Sequence, residues 1–256
     1  MSHWGRRWAA LAAGVAMLAA TVPVAAAEQV RLGTTPWPPY IGADLPGLGA
    51  TAQVVGSALA AAGAELVPVF QPAVDIESGF GDRDIDGIFP VYTTRMRERV
   101  CLMSGQIGSS PLGFAERLDH PLTWTRLEDL APYTLGVVRN YANTDSFDRL
   151  VTRGVLQVVR ASDDTQNLQN LLDGRIDLAV IDRNVMEWLL RRDPALSGRL
   201  NAVRFNPRPI AERPLYACFR NDAAGRAKRD RLNAGLAAID GPLMTADWFR
   251  RMIAAP

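Results

Sequence analysis

The sequence has few of the side chains on which metal sites and many hydrolases depend. Of its two histidines, only His120 follows the N-terminal segment, so neither a histidine pair for a metal ion nor an evident Ser–His arrangement can form. No glycine-rich phosphate loop follows the first apolar run. We therefore expect no metal ion and no cofactor, and we expect that the protein is not an enzyme.

An excess of charge of one sign is also absent. The chain has 28 basic and 27 acidic side chains, and Lys228 is its only lysine. A balance this close to zero gives no basic patch and no strongly acidic face. Nucleic acids and membrane surfaces are therefore not expected as partners. We expect a monomer that binds a small molecule.

Only two cysteines are present, Cys101 and Cys218, and each lies in a short apolar run that is typical of a strand. An even count in an exported chain favours a disulfide, and two buried thiols are the alternative. A bridge requires that the two Cα atoms approach to about 6 Å, which the sequence does not determine.

Long hydrophobic runs are confined to the N-terminus. Two arginines at residues 6–7 precede the apolar residues 9–21, and three alanines at residues 25–27 follow them. This order is typical of a secretory signal peptide over residues 1–27, cleaved after Ala27. The apolar run is shorter than the membrane span of about 20 residues that a transmembrane helix needs. We therefore expect a periplasmic protein.

The sequence does contain one phrase written twice. Residues 81–88 read GDRDIDGI, and residues 173–179 read DGRIDLA. Each predicts a glycine-containing turn, an aspartate and then an apolar strand, since a glycine just past a helix supplies the left-handed cap. Apolar runs of this kind are typical of buried parallel strands. Two such units indicate two lobes of similar α/β construction with a ligand between them.

Strands and helices alternate through both halves, which predicts parallel pairing through crossover connections. Strands are predicted at residues 30–33, 66–70, 85–91, 100–104, 135–139, 155–159, 176–181, 203–205 and 215–219. Helices are predicted at residues 50–62, 74–80, 144–152, 164–172, 185–192, 225–239 and 245–254. We assign residues 28–110 and 215–256 to lobe 1 and residues 111–214 to lobe 2. Crossings near residues 109–116 and 206–214 would form a hinge.

Two charged side chains lie where apolar strands end. Arg97, in the segment that begins at Thr94, follows a strand, and its guanidinium can meet a carboxylate through two parallel hydrogen bonds. A solvated basic turn is the alternative for this segment. Asp182 ends the second apolar strand, where its carboxylate can hold a ligand ammonium or cap the following helix.

Aromatic and amide side chains are further candidates for ligand contact. Trp37 and Tyr40 can stack on a ligand side chain, or they can be buried aromatic edges. Asn140 and Tyr141 lie between a strand and the start of a helix, where free backbone N–H groups attract anions. An ordinary loop is the alternative for this pair.

In the order and spacing of these motifs, the sequence resembles the extracytoplasmic solute-binding proteins of family 3, the polar amino acid type that serves ABC importers. The similarity spans nearly the whole predicted mature chain. The motifs that carry it are WPPY at residues 37–40, the phrase at residues 81–88, Thr94-x-x-Arg97 with the strand that follows, LGVV at residues 135–138, and GRID at residues 174–177 with Asp182.

The resemblance implies an α/β protein with a two-lobed, type II periplasmic binding protein-like fold. Each lobe would have a mixed, mostly parallel sheet flanked by helices, and the lobes would close over a ligand in the cleft by hinge motion. By position, Arg97 would pair with a ligand carboxylate and Asp182 with its ammonium group. Tyr40 would line the side-chain pocket, and the backbone near residues 140–143 would add donors.

Several positions depart from the family pattern. Tyr92 stands where a small or hydroxyl residue usually contacts the ammonium, and Pro90 stands where a glycine often offers its carbonyl. Asn140 replaces a common glycine, and residues 105–107 read GQI in place of a stretch similar to Asp-Pro-Tyr. These departures indicate a reshaped pocket, so the ligand need not be an ordinary amino acid.

Three functions follow as hypotheses. The leading one is a periplasmic receptor that captures a small carboxylate-bearing solute, with amino acids among the candidates, and delivers it to an ABC permease in the inner membrane. A second is an enzyme that resembles cyclohexadienyl dehydratases of the same fold, with Glu98 or Asp182 as its acid or base. A third is a ligand-sensing accessory protein for a membrane receptor.

Overall fold

The computed structural model of the protein describes Met1, residues 27–71 and residues 84–254. Most of the predicted signal peptide, the helix predicted at residues 74–80 and the first three residues of the repeated phrase lie outside the described residues. Within the described part of the chain, no helix is long and apolar enough to span a membrane.

Strands and helices alternate in the described residues. The strands are β1 (Glu28–Thr34), β2 (Ala64–Phe70), β3 (Gly87–Val91), β4 (Cys101–Met103), β5 (Gly108–Arg117), β6 (Thr134–Val138), β7 (Gln157–Ala161), β8 (Leu178–Asp182), β9 (Val203–Phe205) and β10 (Ala211–Arg220). The α-helices are α1 (Ala50–Ala61), α2 (Arg95–Val100), α3 (Asp145–Thr152), α4 (Asp164–Leu172), α5 (Arg183–Arg192), α6 (Ala223–Leu236) and α7 (Gly241–Ala254).

Most predicted elements in the described residues are present, with ends that differ by a few residues, and the prediction is wrong at two places. Val100 is predicted to begin a strand, but it is the last residue of α2, because Thr94 caps a helix that starts at Arg95. No strand is predicted at residues 108–117, where β5 lies. Its sequence begins GSSP, which is typical of a turn, but β5 pairs with neighbours that the local sequence does not reveal.

The strands form one continuous sheet with the order β2–β1–β3–β10–β5–β8–β6–β7, while β4 pairs with β10 and β9 with β5. One parallel group contains β2, β1 and β3, and a second contains β7, β6 and β8. The antiparallel strands β10 and β5 join these two groups. The fold is therefore α/β, with two lobes built around mostly parallel sheets.

The predicted hinge crossings fall largely in β5 and in the first half of β10. Residues 108–112 of β5 pair with residues 211–215 of β10, and residues 112–116 of β5 continue along β8. The second half of β10 pairs with β3 and β4. Two paired strands therefore connect the two parallel groups, and the exact lobe boundaries stay a prediction.

Both copies of the repeated phrase make the same pair of hydrogen bonds. Asp86 accepts a hydrogen bond from the backbone N–H of Arg31 (2.8 Å), and its own N–H donates to the Arg31 carbonyl (2.7 Å). Asp177 accepts from the N–H of Thr134 (2.8 Å) and donates to the Thr134 carbonyl (2.8 Å). Each aspartate thus fixes the start of β3 or β8 beside its parallel neighbour. The repeat reflects this shared structural requirement.

Apolar side chains from both halves are buried in the core. The fully buried Phe114 of β5 and Phe147 of α3 belong to one core cluster, and their ring centroids lie 6.3 Å apart. Contacts between α5 and α7 link the second half to the C-terminal helix, since the ring centroids of Trp188 and Trp248 lie 6.5 Å apart. This packing holds α7 against the region where the two lobes meet.

A disulfide joins Cys101 to Cys218, and their Cα atoms lie 5.6 Å apart. Cys101 is the first residue of β4 and follows the last residue of α2, while Cys218 lies in β10, and both are buried. Of the two alternatives for these cysteines, the structure therefore has the bridge. It ties the short helix that carries Arg97 to the strand that connects the lobes.

Candidate functional site

A cavity of about 270 Å³ lies where β3, β6 and β8 reach their carboxyl ends. In open α/β folds this is the edge at which ligands bind, because side chains and loops from several strands converge there. Apolar residues such as Leu112 and Val180 form part of the wall. The aromatic, amide and charged residues in the wall are Trp37, Tyr92, Arg97, Asn140, Tyr141, Asn143, Asp164 and Asp182.

Arg97 reaches the cavity from the first turns of α2. The Thr94 hydroxyl accepts a hydrogen bond from the Arg97 backbone N–H (3.2 Å), which fixes the helix start. The guanidinium Nη1 donates to the Tyr92 carbonyl (2.7 Å), while the buried Nε finds no acceptor in the described part of the chain. Burial and the nearby charge of Arg213 lower the pKa of Arg97. Its guanidinium takes part in no ion pair within the described residues.

Asp182 ends β8, and its carboxylate is bound by its own chain. One oxygen caps α5 by accepting from the backbone N–H of Val185 (2.9 Å). The other oxygen accepts from the hydroxyls of Tyr40 (2.7 Å) and Ser110. Burial raises the pKa of Asp182 to about 6, although these donors act in the opposite direction.

The two hydroxyls that bind Asp182 belong to a longer hydrogen-bond chain. The oxygens of Tyr92 and Ser110 lie 2.6 Å apart, and the Asn184 side-chain amide donates to the Tyr40 hydroxyl (2.9 Å). Ser110 donates its one proton to Asp182, so Tyr92 is the donor to Ser110. Burial raises the pKa of both tyrosines, which keeps their phenols protonated as donors.

Aromatic rings and a second arginine surround Tyr92. The Trp37 ring centroid lies 5.5 Å from that of Tyr92 and 4.9 Å from that of Tyr40. On another side, the Arg213 guanidinium lies 3.6 Å from the Tyr92 ring centroid, a cation–π contact. Arg213 also donates to the backbone carbonyls of Ala142 (2.6 Å) and Asn143. It therefore links β10, the Tyr92 ring and the loop that follows β6.

The loop after β6 brings Tyr141 next to Asp164, the first residue of α4. Asn140 has a positive φ of 65°, which turns the chain at this point. The Tyr141 hydroxyl hydrogen bonds to the half-buried carboxylate of Asp164. Burial, with the negative charges of Asp182 and Asp163, raises the pKa of Asp164 to about 7. Asp163, which is exposed, caps α4 by accepting from the Gln166 N–H (2.8 Å).

Six of the eight predicted ligand residues line this one cavity: Trp37, Tyr92, Arg97, Asn140, Tyr141 and Asp182. Thr94 lies outside the wall as the cap of α2, and the fully buried Tyr40 lies behind Asp182. The place of Tyr40 suits its structural alternative, a buried aromatic edge, whereas the segment that begins at Thr94 is a short helix and not the basic turn given as its alternative. The ligand contacts assigned to all eight residues stay predictions.

Sequence reasoning did not find Ser110, Asp164, Asn184 or Arg213. Ser110 and Arg213 lie in the predicted hinge crossings, so the pattern gave them no chemical role. Asp164 adjoins Asp163, and either carboxylate could cap the same helix. Within the described residues, no group of three or more histidine, cysteine, aspartate or glutamate side chains is arranged to hold a metal ion.

Comparison with known proteins identifies the fold. No protein-family model and no curated protein matches the chain. The GluR0 ligand-binding core from Nostoc punctiforme in complex with L-glutamate is 15% identical, with a TM-score of 0.65 over 87% of this chain and 98% of that one. Holo ArgBP from T. maritima is 18% identical, with a TM-score of 0.60 over 86% and 96% of the two chains.

A histidine kinase sensor domain with similarity to periplasmic binding proteins is also similar in structure. It is 19% identical, with a TM-score of 0.69 over 87% of this chain and 96% of that one. At such identities the likeness establishes the fold. This protein therefore has the two-lobed α/β fold of periplasmic binding proteins, with its cavity at the strand ends, and the predicted fold class is confirmed.

Proposed function

We propose that the protein is a solute-binding protein of the family 3 type, which captures a small carboxylate-bearing solute in the cavity beside Arg97. The observation that carries this proposal is the Arg97 guanidinium, with a buried Nε–H that lacks an acceptor and with no ion-pair partner in the described residues. A buried donor without an acceptor is costly, and a carboxylate that accepts two parallel bonds from a guanidinium removes that cost.

The rest of the wall favours a ligand with an apolar or aromatic body. Trp37 and Tyr92 offer ring surfaces, and Leu112, Val138 and Val180 add aliphatic surface. A few polar groups within a largely apolar wall are typical of small-molecule sites, because the apolar surface supplies affinity and the polar groups fix orientation. The structures with this fold include complexes with L-glutamate and with arginine, so amino acids are the first candidates.

Capture would proceed by closure of the lobes. The two parallel groups are joined by β5 and β10, which pair with each other. Movement about paired strands of this kind is a known hinge arrangement. The closed complex would then be the form that an ABC permease in the inner membrane recognises, with the protein working in the periplasm after removal of residues 1–27.

A thermal-shift panel tests the proposal. The panel contains L-glutamate, L-arginine, apolar and aromatic amino acids, and small organic acids. A ligand at about 100 times its Kd adds about 2.7 kcal/mol of stability, so a true ligand raises the melting temperature clearly. Small-angle scattering with the best compound should then record a smaller radius of gyration. A panel in which no compound shifts the melting temperature would contradict the proposal.

Sensing is a second candidate function, favoured by the likeness to a histidine kinase sensor domain. The same captured ligand would then be presented to a membrane receptor in place of a permease. Uptake of the radiolabelled ligand distinguishes the two functions. Loss of uptake in a strain that lacks the protein supports transport, and unchanged uptake with a lost transcriptional response supports sensing.

We also propose that the cavity binds its ligand without turnover. The side chains around Arg97 and Asp182 hold one another in hydrogen bonds, and Glu98, a candidate acid, is exposed and absent from the wall. NMR spectra of the bound compound, followed over hours with catalytic amounts of protein, test this proposal. Appearance of a dehydrated product would instead support the dehydratase-like alternative.

A further inference from the structure

The carboxylate of Asp182 is largely occupied by its own chain. An ionised carboxylate has about four lone-pair sites, and Asp182 accepts from the hydroxyls of Tyr40 and Ser110 and from the backbone N–H of Val185. The residue is 5% exposed. A ligand ammonium therefore has little access to this carboxylate, and displacing Tyr40 or Ser110 would leave a buried hydroxyl without its acceptor.

Asp164 differs from Asp182 although both line the same cavity. Its carboxylate is half-buried, and the Tyr141 side chain lies beside it. It takes part in no ion pair with an arginine, lysine or histidine of the described residues. Asp163 already caps α4, so the Asp164 side chain is not needed at the helix start.

The charged residues at the cavity are complementary to a ligand with both charges. Burial, together with repulsion by Arg213, lowers the pKa of Arg97. Burial, together with repulsion by Asp182 and Asp163, raises the pKa of Asp164. A carboxylate beside Arg97 and a cation beside Asp164 would relieve both repulsions at once.

We infer that Asp164, and not Asp182, receives the positive group of a ligand that carries both a carboxylate and a cation. The inference rests on the proposed function, because it concerns the same cavity. Asp182 is then a positioning residue, which holds Tyr40, Ser110 and the start of α5 in place for the site.

Matched pairs of compounds that differ only in the amine test the inference. The pairs are L-phenylalanine with 3-phenylpropanoate, L-leucine with 4-methylpentanoate, and L-glutamate with glutarate. Each compound is titrated by calorimetry into the wild type, into Asp164→Asn and into the matched control Asp163→Asn. Asparagine caps helices as well as aspartate does, so the control keeps α4. Melting curves establish that both variants are folded.

The expected result is that the wild type binds the amine-bearing member of at least one pair more tightly than its partner. Asp164→Asn should lower that affinity by about tenfold or more. This is the low end of the range for a charge pair, because the pair keeps some contact with water. Asp163→Asn should leave the affinity unchanged. The compound without the amine should bind Asp164→Asn as well as, or better than, the wild type, because no charge at residue 164 then lies unpaired.

The pH dependence supplies a second readout. A ligand cation requires the ionised form of Asp164, whose pKa is raised to about 7 by burial and by Asp182 and Asp163, with Tyr141 as its hydrogen-bond partner. Affinity for the amine-bearing compound should therefore rise from pH 6 to pH 8 in the wild type and in Asp163→Asn. In Asp164→Asn this rise should be smaller.

Other outcomes separate the inference from the proposed function. Tighter binding of the amine-free compounds, or equal binding of an amine-bearing compound by wild type and Asp164→Asn, overturns the inference and leaves the receptor function intact. Absence of binding for every pair, together with no shift in the wider panel, overturns the proposed function and the inference with it.

Discussion

Two groups of side chains at the cavity carry opposite charge and differ in their hydrogen bonding: the Arg97 wall (Tyr92 and Arg97, with Arg213 against Tyr92) and the Asp182 wall (Asp182, with Tyr40, Ser110 and Asn184 behind it). The carboxylate of Asp182 accepts three hydrogen bonds, from donors in three parts of the chain. The guanidinium of Arg97 has one bond to a backbone carbonyl and a buried Nε–H that has no acceptor in the described residues. The Arg97 guanidinium and the Asp182 carboxylate, which follow strands in the two halves of the sheet, therefore have different roles.

This difference separates stability from binding. A buried charge whose hydrogen bonds all come from its own chain holds several elements together, and losing it leaves each donor unpaired. A buried charge with an unsatisfied group adds little to stability, because its desolvation is not fully offset. The Asp182 wall should therefore govern the free energy of unfolding, and the Arg97 wall should govern affinity.

The largest expected effect concerns the disulfide that anchors the Arg97 wall. Replacing both cysteines, as Cys101→Ser with Cys218→Ser, should lower the free energy of unfolding by about 4 kcal/mol, because the bridge spans 117 residues. Urea denaturation measures this change. Hydrogen exchange should also rise in α2, which ends next to Cys101, and remain unchanged in α5. Equal rises of hydrogen exchange in α2 and α5 would contradict a specific effect of the bridge on the Arg97 wall.

The second prediction concerns the Asp182 wall. Asp182→Ala should lower the free energy of unfolding by about 3 kcal/mol, since it leaves two hydroxyls and one backbone N–H group without their acceptor. The control is Asp164→Ala from the same cavity, which should change the stability by less than about 1 kcal/mol. Similar losses in the two variants, in urea denaturation, would contradict the comparison.

The third prediction concerns Arg97 itself. Arg97→Ala should weaken the binding of the best carboxylate ligand by at least about 2 kcal/mol, because the buried anion loses its partner. The stability of the ligand-free protein should change by less than about 1 kcal/mol. Calorimetry and urea denaturation measure the two quantities, with Arg99→Ala, an exposed arginine of the same helix, as the control. Unchanged affinity in Arg97→Ala would remove this residue from the site.

The smallest expected effect is on the pH dependence of stability. The pKa of Asp164 is raised from 3.8 to about 7 in the folded protein, so the folded state holds this proton at pH values where the unfolded state has released it. Stability should therefore fall as the pH rises from about 4 to about 7, and Asp164→Asn should remove part of that fall, on the order of 1 kcal/mol. Melting temperatures across this range measure it. If stability fell with pH by the same amount in Asp164→Asn as in Asp163→Asn, the fall could not be assigned to the raised pKa of Asp164.

Local sequence patterns predicted much of the framework of the cavity. Apolar runs that end at Val91, Val138 and Asp182 are recognisable as buried strands, and parallel strands bring their carboxyl ends to one edge. Arg97 and Asp182 both line the cavity at that edge. The repeated phrase was also informative, since Asp86 and Asp177 make equivalent hydrogen bonds.

Partners distant in the sequence could not be predicted in the same way. Ser110 lies 72 residues before Asp182, and Tyr40 lies 142 residues before it, so no local pattern connects these three. Asp163 and Asp164 are adjacent and chemically identical, and only the backbone direction at the start of α4 decides that Asp163 caps the helix while Asp164 lines the cavity.

The sequence by itself determined the α/β class, the alternation of strands and helices, and the placement of an arginine and an aspartate at strand ends. These depend on hydrophobic periodicity and on turn and capping residues, which are properties of neighbouring positions. Only the tertiary structure decided which of these two charged groups finds hydrogen-bond partners within the chain and which keeps an unpaired donor. Hydrogen bonding and burial depend on elements that lie far apart in the chain. For that reason Asp182 holds the fold together, while Arg97 keeps an unsatisfied buried donor at the cavity.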